Sequence, residues 1–299
     1  MKTSALSAWS QAQVALTEQV STSVVTVVTG RRHSVAGILW GSDTIVTAAE
    51  TIGEGGELSI SDGKAAPIAA ERVAVDLTTD VAILRAAMPG NPATRGDSKT
   101  LRIGQPVLIA GCNRQGSLAR WATIAQVGPA WHSRRGGVLD RAIRLSSGLD
   151  ADQEGSGVFD VEGRLCAMAV RGPRGRVIGI PIETIIRVTA MVDQHGYLPQ
   201  PYVGLILQSV FLDERNRAQS EGQARALMVI GVDPASPASL AGIHLGDILL
   251  RLNNEIVEEA RSLVRTLNTG GAGQTMRLEV LRGGQRQEIA LRAGERLRR

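Results

Sequence analysis

Few residues in this chain have side chains that do chemistry unaided, and they are scattered. Acyl transfer needs a nucleophile within reach of a base, and that base is most often histidine. The 299 residues include four histidines. His33 precedes a β-branched run, His132 lies in the polar stretch WHSRRGG, His195 follows an amphipathic segment, and His244 lies in the final third. Each reads as an exposed loop histidine. The two thiols do not suggest a redox or metal pair. Cys112 ends the apolar run VLIAGC and Cys166 sits inside RLCAMAV, so both read as buried core cysteines.

The elements that must position any site are short and β-branched, punctuated by Gly, Asp and Ser. After a helix-compatible start over Leu6–Gln19, strands are expected at 23–28, 35–40, 44–48, 57–60, 69–75, 81–85, 106–110, 122–127, 142–145, 157–159, 165–170 and 177–181. This density predicts a mainly β first domain of two barrels or sandwiches. Apolar residues at Ile185, Ile186, Val188 and Val192 fit one amphipathic helix over 183–194 that closes it. Gly196, Pro199 and Pro201 then resist helix continuation, which places a boundary between residues 1–200 and 201–299. The second part reads as a small mixed α/β domain. Strands are expected at 202–208, 226–232 and 248–252, helices near 213–220 and 258–267, and a hairpin over 276–291 turning at Gly283 and Gly284.

Composition narrows the function classes. Hydrophobic residues make up 43% of the chain, enough for two real cores, which excludes a disordered or collagenous protein. Lys plus Arg number 33 against 29 Asp plus Glu, and a surplus of four charges is a weak basis for binding nucleic acid. Aromatic residues are only 3% of the chain, which leaves no base-stacking platform. No stretch reaches the roughly 18 apolar residues of a membrane span. The opening MKTSALSAWSQAQVALTEQV lacks an export signal's apolar region, so the expectation is a cytoplasmic protein, or a periplasmic one if a leader was removed.

Several segments fall in an order that resembles the HtrA/Deg family, trypsin-like double-barrel serine proteases followed by a PDZ domain. SVVTVV and VAGILW stand where the family has its opening strands. IVTAAETI follows the pattern that ends in the catalytic histidine, DLTTDVAILR the segment with the catalytic aspartate, and IRLSSGLDADQEGSGVFD the strand and loop with the nucleophilic serine. The resemblance covers nearly the whole chain, but it puts Glu50 at the histidine position and Glu154 at the serine position. Only Asp80 is retained. Glu154 offers no hydroxyl, and losing a triad member typically costs ~10⁴ to 10⁶ in turnover. Ser156, two positions further on, is the nearest substitute nucleophile and stands where the family has a structural glycine, so it reads as a turn serine.

The resemblance therefore implies three acids close together, with three readings. One acid can stay protonated, because like charges at close range cannot all ionise cheaply. A hard cation such as Ca²⁺, Mg²⁺ or Mn²⁺ can neutralise Glu50, Asp80 and Glu154. Or the Glu154 carboxylate folds into the former oxyanion hole and accepts its N–H groups. The first and third are preferred, and no cofactor is implied. An aspartic-protease-type dyad lacks the symmetric motif that chemistry uses.

In the second domain, YVGLIL resembles the carboxylate-binding loop and strand of bacterial PDZ domains, and VDPASPASLAGIHLGDILLRLNNEIV follows the rest of that pattern. This implies a peptide site formed by Tyr202, Val203, Gly204, Leu205 and Ile206, with Leu263, Val264 and Leu267 on the facing helix, although Leu263 and Leu267 are as readily core residues. A peptide's terminal carboxylate would meet the loop N–H groups and its strand would pair beyond them. The expected function is an inactive HtrA-like pseudoprotease, a scaffold, sensor or regulator in protein quality control that binds protein or peptide C-termini. The alternative is an endopeptidase using Ser156 or the acid cluster. Relatives commonly trimerise through the opening helix, here with Leu6, Trp9, Val14 and Leu16, so a homotrimer or co-assembly with an active paralogue is the expected assembly.

Overall fold

The computed structural model describes residues 4–30, 33–53, 55–63, 65–270 and 272–296. Two compact units divide the chain, the first built from residues up to Trp131 and Val138–Tyr197, the second from His132–Gly137 and the residues from Leu198 onward.

The first unit opens with helix α1 (Ala5–Ser21), N-capped by the Ser4 hydroxyl, which accepts from the Ser7 N–H. Six antiparallel strands follow: β1 (Val24–Val28), β2 (Ser34–Leu39), β3 (Thr44–Thr47), β4 (Leu58–Ser61), β5 (Ile68–Asp76) and β6 (Val81–Arg85). They close a barrel in the order β1-β2-β3-β6-β5-β4. Closure follows from the period-two pattern: Val25, Val27, Ile45, Ile60 and Leu84 turn inward into one core. A four-residue helix, α2 (Ala49–Ile52), interrupts the chain between β3 and β4. A second closed barrel contains β7 (Pro106–Asn113), β8 (Gly116–Gly128) and strands Ala142–Leu145, Ser156–Phe159, Leu165–Arg171 and Val177–Pro181. Its core gathers Val107, Ile109, Ile124, Ile143, Val158 and Val177. Helix α3 (Ile182–His195) buries Ile182, Ile185, Val188 and Val192, and stops at Gly196, whose positive φ of 76° lets its N–H return to the Val192 carbonyl.

In the second unit a sheet runs in the order Leu205–Phe211, Arg225–Val232, Ile248–Leu252, Thr275–Arg282, Gln285–Arg292, with helix Ala260–Gly270 beside it. Leu227, Val229, Leu249, Met276, Leu278 and Leu291 form the core.

The expected mainly β architecture of two barrels followed by a small mixed domain is the one observed. The differences are local. Strand β8 starts at Gly116 instead of 122, because β7 pairs with it through to Asn113 and Gly116 and the polar residues Ser117 and Arg120 hold ladder positions. Tyr202 does not open the strand that runs to residue 208. It ends a separate short strand, Gln200–Tyr202, which pairs with Gly294–Arg296. The helix expected over 258–267 begins two residues later, at Ala260.

Candidate functional site

The turn before β6 positions the first acid. The buried Asp76 carboxylate accepts from the Thr78 N–H at 2.9 Å and from the Thr78 and Thr79 hydroxyls, each at 2.6 Å. This folds DLTTD tightly enough that Asp80 adopts a φ of 60°, uncommon for a residue with a Cβ. Asp80 Oδ1 then accepts the Glu50 N–H at 2.8 Å in the first turn of α2, and the Asp80 carbonyl accepts from Ala49. Burial pushes the Asp80 carboxyl up to about 7, and the Glu50 and Glu154 charges add to the rise against the lowering effect of the Glu50 N–H.

Glu154 sits at the end of the 3₁₀ turn Ala151–Gln153, just before strand Ser156–Phe159. Its carbonyl accepts from Ala36 and the next N–H, of Gly155, reaches the Ala169 carbonyl, so the backbone here is held from both sides. Gly155 has a φ of 86°, and a Cβ there would collide with the Ala36 carbonyl oxygen, so only glycine fits. The Glu154 carboxylate bonds to Arg171 Nε in an ion pair. The ladder brings them near: Ser156 stands opposite Ala169, and Glu154, two residues before Ser156, bonds to Arg171, two residues beyond Ala169. The Glu154 side chain is 10% exposed and that of Arg171 50%.

Glu50, Glu154 and Arg171 line a cleft of about 720 Å³ together with His33, Thr51 and Ala151. The reading in which Glu154 occupies the oxyanion hole is corrected by this geometry, since its carboxylate goes to Arg171. The reading in which one acid is kept protonated fits Asp80. Among the described residues no group of three or more His, Cys, Asp or Glu is arranged to hold a metal ion. Ser156 is 1% exposed and its hydroxyl donates to the Gln153 carbonyl at 2.7 Å, as a turn serine's does. Sequence reasoning missed Asp76 and Arg171, whereas His33 is the exposed loop histidine expected. Arg171 was readable only through strand register, and Asp76 through the Asx-turn pattern D-x-T-T.

In the second unit the Val203 and Gly204 carbonyls accept from Ala238 and Asp233, which fixes the loop before strand Leu205–Phe211. Gly204 has a φ of 77°, and a Cβ there would collide with the Ser236 side chain. Leu205–Phe211 is the terminal strand of its sheet, paired on one side with Arg225–Val232. Leu205 and Leu207 pack against the core while Ile206, between them, is exposed, as a period-two strand requires. Ile206 thus faces away from the sheet side that carries the helix. Leu263 and Leu267 are buried in the core and Val264 is half-buried, its side chain close to Gly136. Tyr202 is not brought to the groove by its hydroxyl, which donates to the Asp233 carboxylate. Val203 is buried and its side chain belongs to the core.

Two antiparallel barrels with a carboxylate turn ahead of the sixth strand define a trypsin-like peptidase fold, and the edge strand facing one helix defines a PDZ domain. Residues 35–168 match the trypsin-like peptidase domain family and residues 206–292 the PDZ domain family. The homologues are DegP-like (HtrA) serine endoproteases. A protein of Halomonas elongata named "Probable periplasmic serine endoprotease DegP-like" is 24% identical over 277 residues, covering 89% of this chain and 57% of the relative. One of the same name from Bartonella henselae is 25% identical, covering 88% of this chain and 54% of its own. The chain thus spans just over half the length of these relatives. Among solved structures, an HtrA-type protease AlgW with decapeptide superposes with a TM-score of 0.68 at 17% identity, covering 96% of this chain and 99% of the other. A serine endoprotease from Yersinia pestis superposes with a TM-score of 0.66 at 20% identity, covering 94% and 97%.

Proposed function

We propose that this protein is a catalytically inactive HtrA-like pseudoprotease that binds peptide or protein C-termini through its PDZ domain and serves as a scaffold, sensor or regulator. The observation that carries the reading is the Glu154–Arg171 ion pair. The position that the family resemblance assigns to the nucleophile holds a carboxylate with no transferable hydroxyl, and an arginine neutralises it. A carboxylate so held is a poor nucleophile toward an amide. The alternative, an endopeptidase using Ser156 or the acids, gains nothing from the geometry. The Ser156 proton is given to a backbone carbonyl in a buried site, and among the described residues no group of three or more His, Cys, Asp or Glu is arranged to hold a metal ion.

The binding half of the reading rests on the free side of strand Leu205–Phe211. Its backbone is available for β-augmentation, the fixed loop at Val203–Leu205 supplies N–H groups for a carboxylate, and Leu205, Leu207 and Val264 supply an apolar wall. The decapeptide named with the similar AlgW structure agrees with this. Self-association through α1 is the proposed assembly, as a homotrimer or with an active paralogue. Leu6 and Trp9 are 78% and 63% exposed there, whereas Leu16, also named for the assembly, is buried. The relatives' names favour the periplasm over the cytoplasm that the N-terminal sequence suggested.

The test is incubation of the purified protein with unfolded casein, with and without EDTA, and with a serine-reactive phosphonate. The expected result is neither cleavage nor labelling, together with saturable binding of hydrophobic-tailed peptides on an array. EDTA-sensitive cleavage, or phosphonate labelling lost in Ser156→Ala, overturns the proposal.

A further inference from the structure

Residues 172–176 turn the chain between strands Leu165–Arg171 and Val177–Pro181, and they carry two arginines and no acid. The turn is tightly built. The Gly172 N–H donates to the Arg176 carbonyl at 2.7 Å, and a Cβ on Gly172 would collide with the Ile178 side chain. Gly175 has a φ of 71°, which glycine adopts freely. Arg174 is the exception. Its φ of 60° and ψ of 34° lie in the left-handed region, where a Cβ crowds the backbone. Glycine would relieve that crowding, so the turn holds a strained residue whose side chain ends in a charge. Backbone outliers of this kind concentrate at ligand clamps and active sites.

Arg174 and Arg176 are both exposed, and among the described residues no carboxylate pairs with either. Through Gly172 and Gly175 the same turn borders the cleft of about 720 Å³ that Glu50, Glu154 and Arg171 line. Glu154 is neutralised there by Arg171, so Glu50 is the lining carboxylate that weighs against the two rim arginines. Alternate side chains of an extended chain share one face about 7 Å apart, a spacing suited to two arginines two positions apart on a turn. Paired N–H groups of a guanidinium match a carboxylate in geometry as well as charge. Nucleic acid fits less well, since aromatic residues are 3% of the chain and the charge surplus is four.

We propose that the turn at residues 172–176 makes one rim of this cleft a docking surface for an acidic peptide segment, whose carboxylates Arg174 and Arg176 receive. The surface is separate from the PDZ groove and needs no free C-terminus.

The test is calorimetry of the full chain at low ionic strength with an octapeptide of alternating glutamate and alanine, acetylated and amidated at its ends. With no terminal carboxylate to offer the PDZ loop, this probe reads a failure of the rim separately from a failure of PDZ binding. The glutamate peptide is expected to bind saturably and about fivefold tighter than its glutamine counterpart, with the difference lost at high salt. Arg174→Gly should weaken it about threefold, and Arg174→Gly with Arg176→Gln should abolish the preference for glutamate. Glycine suits the positive φ, so Arg174→Gly should keep or raise the urea midpoint, which separates lost recognition from lost folding. Equal wild-type affinity for the two peptides, or an unchanged preference in the folded double variant, overturns the proposal. A single-stranded DNA oligonucleotide of equal charge that binds more tightly than the glutamate peptide overturns the assignment to an acidic peptide.

Discussion

In the first unit's cleft the groups that could act on a substrate are tied to one another, with Glu154 on Arg171 and Asp80 on the Glu50 N–H. In the PDZ domain the proposed binding part is a sheet edge whose second side carries no strand among the described residues, served by a loop whose carbonyls are fixed elsewhere. Both regions have the backbone fold of the families they match. They differ in where the side chains went. Catalysis depends on a few functional groups at exact separations, so on the proposed reading two substitutions suffice to remove it, whereas strand addition uses main-chain groups that most substitutions leave in place. A fold can therefore lose its chemistry and keep its binding.

The largest test of that contrast is to restore the chemistry. Glu50→His with Glu154→Ser rebuilds the expected triad around Asp80, and casein cleavage should rise at least ~10²-fold above the wild-type background, since each triad member is worth far more than that. A double variant that folds, binds peptide and cleaves nothing would show that the cleft's backbone has departed as well as its side chains.

On the binding side, Gly204→Ala forces a Cβ into the Ser236 side chain at a positive φ. Affinity for an array-selected peptide should drop at least ~10-fold, about 1.4 kcal/mol, by calorimetry. Within the same groove, Leu263→Ala should destabilise the domain by about 2–4 kcal/mol in urea titrations, the usual cost of a core truncation. Val264→Ala should cost under about 1 kcal/mol of stability and act on peptide affinity instead. Equal stability losses would mean that Val264 belongs to the core.

The acids give a pH signature. The folded Asp80 carboxyl titrates at about 7 against an unfolded value near 3.8, so the folded state binds its proton more tightly. The Asp80 contribution is fully present below pH ~4 and is lost as pH rises through about 7, so stability should fall across that window by an amount on the order of 4 kcal/mol. Urea midpoints measured from pH 4 to 8 should show the fall, and Asp80→Asn, which still accepts the Glu50 N–H, should flatten it. The smallest effect is expected from Arg171→Met. Breaking the Glu154 pair costs about 1 kcal/mol, because Arg171 is half exposed and water replaces part of what is lost.

Much of the fold was legible in the sequence because barrel strands announce themselves by β-branched runs between Gly, Asp and Ser. The barrel strands fell within a few residues of expectation, apart from the polar first half of β8, whose pairing across a hairpin outweighs its composition. The candidate site was legible in its positions, since Glu50, Asp80 and Glu154 were named by ungapped segment matches. Its chemistry was not, because the partner of Glu154 lies 17 residues away and is selected by strand register. Tyr202 shows the same limit: nothing in the neighbouring sequence reveals that its hydroxyl bonds to Asp233, 31 residues on.

By itself the sequence determined the two-domain β architecture, the absence of a hydroxyl at residue 154 and the glycine at 204 that a tight loop requires. These depend on residue type and spacing along the chain, which need no partner to be read. Tertiary structure alone decided that Glu154 is neutralised by Arg171, that Asp80 is held with a raised pKa, that Leu263 is core while Val264 is half-buried, and that the Arg72 Nε and Nη2 atoms are buried without a partner. Each depends on what packs across from a residue, and that is set by the closing of a barrel or sheet between segments distant in the chain.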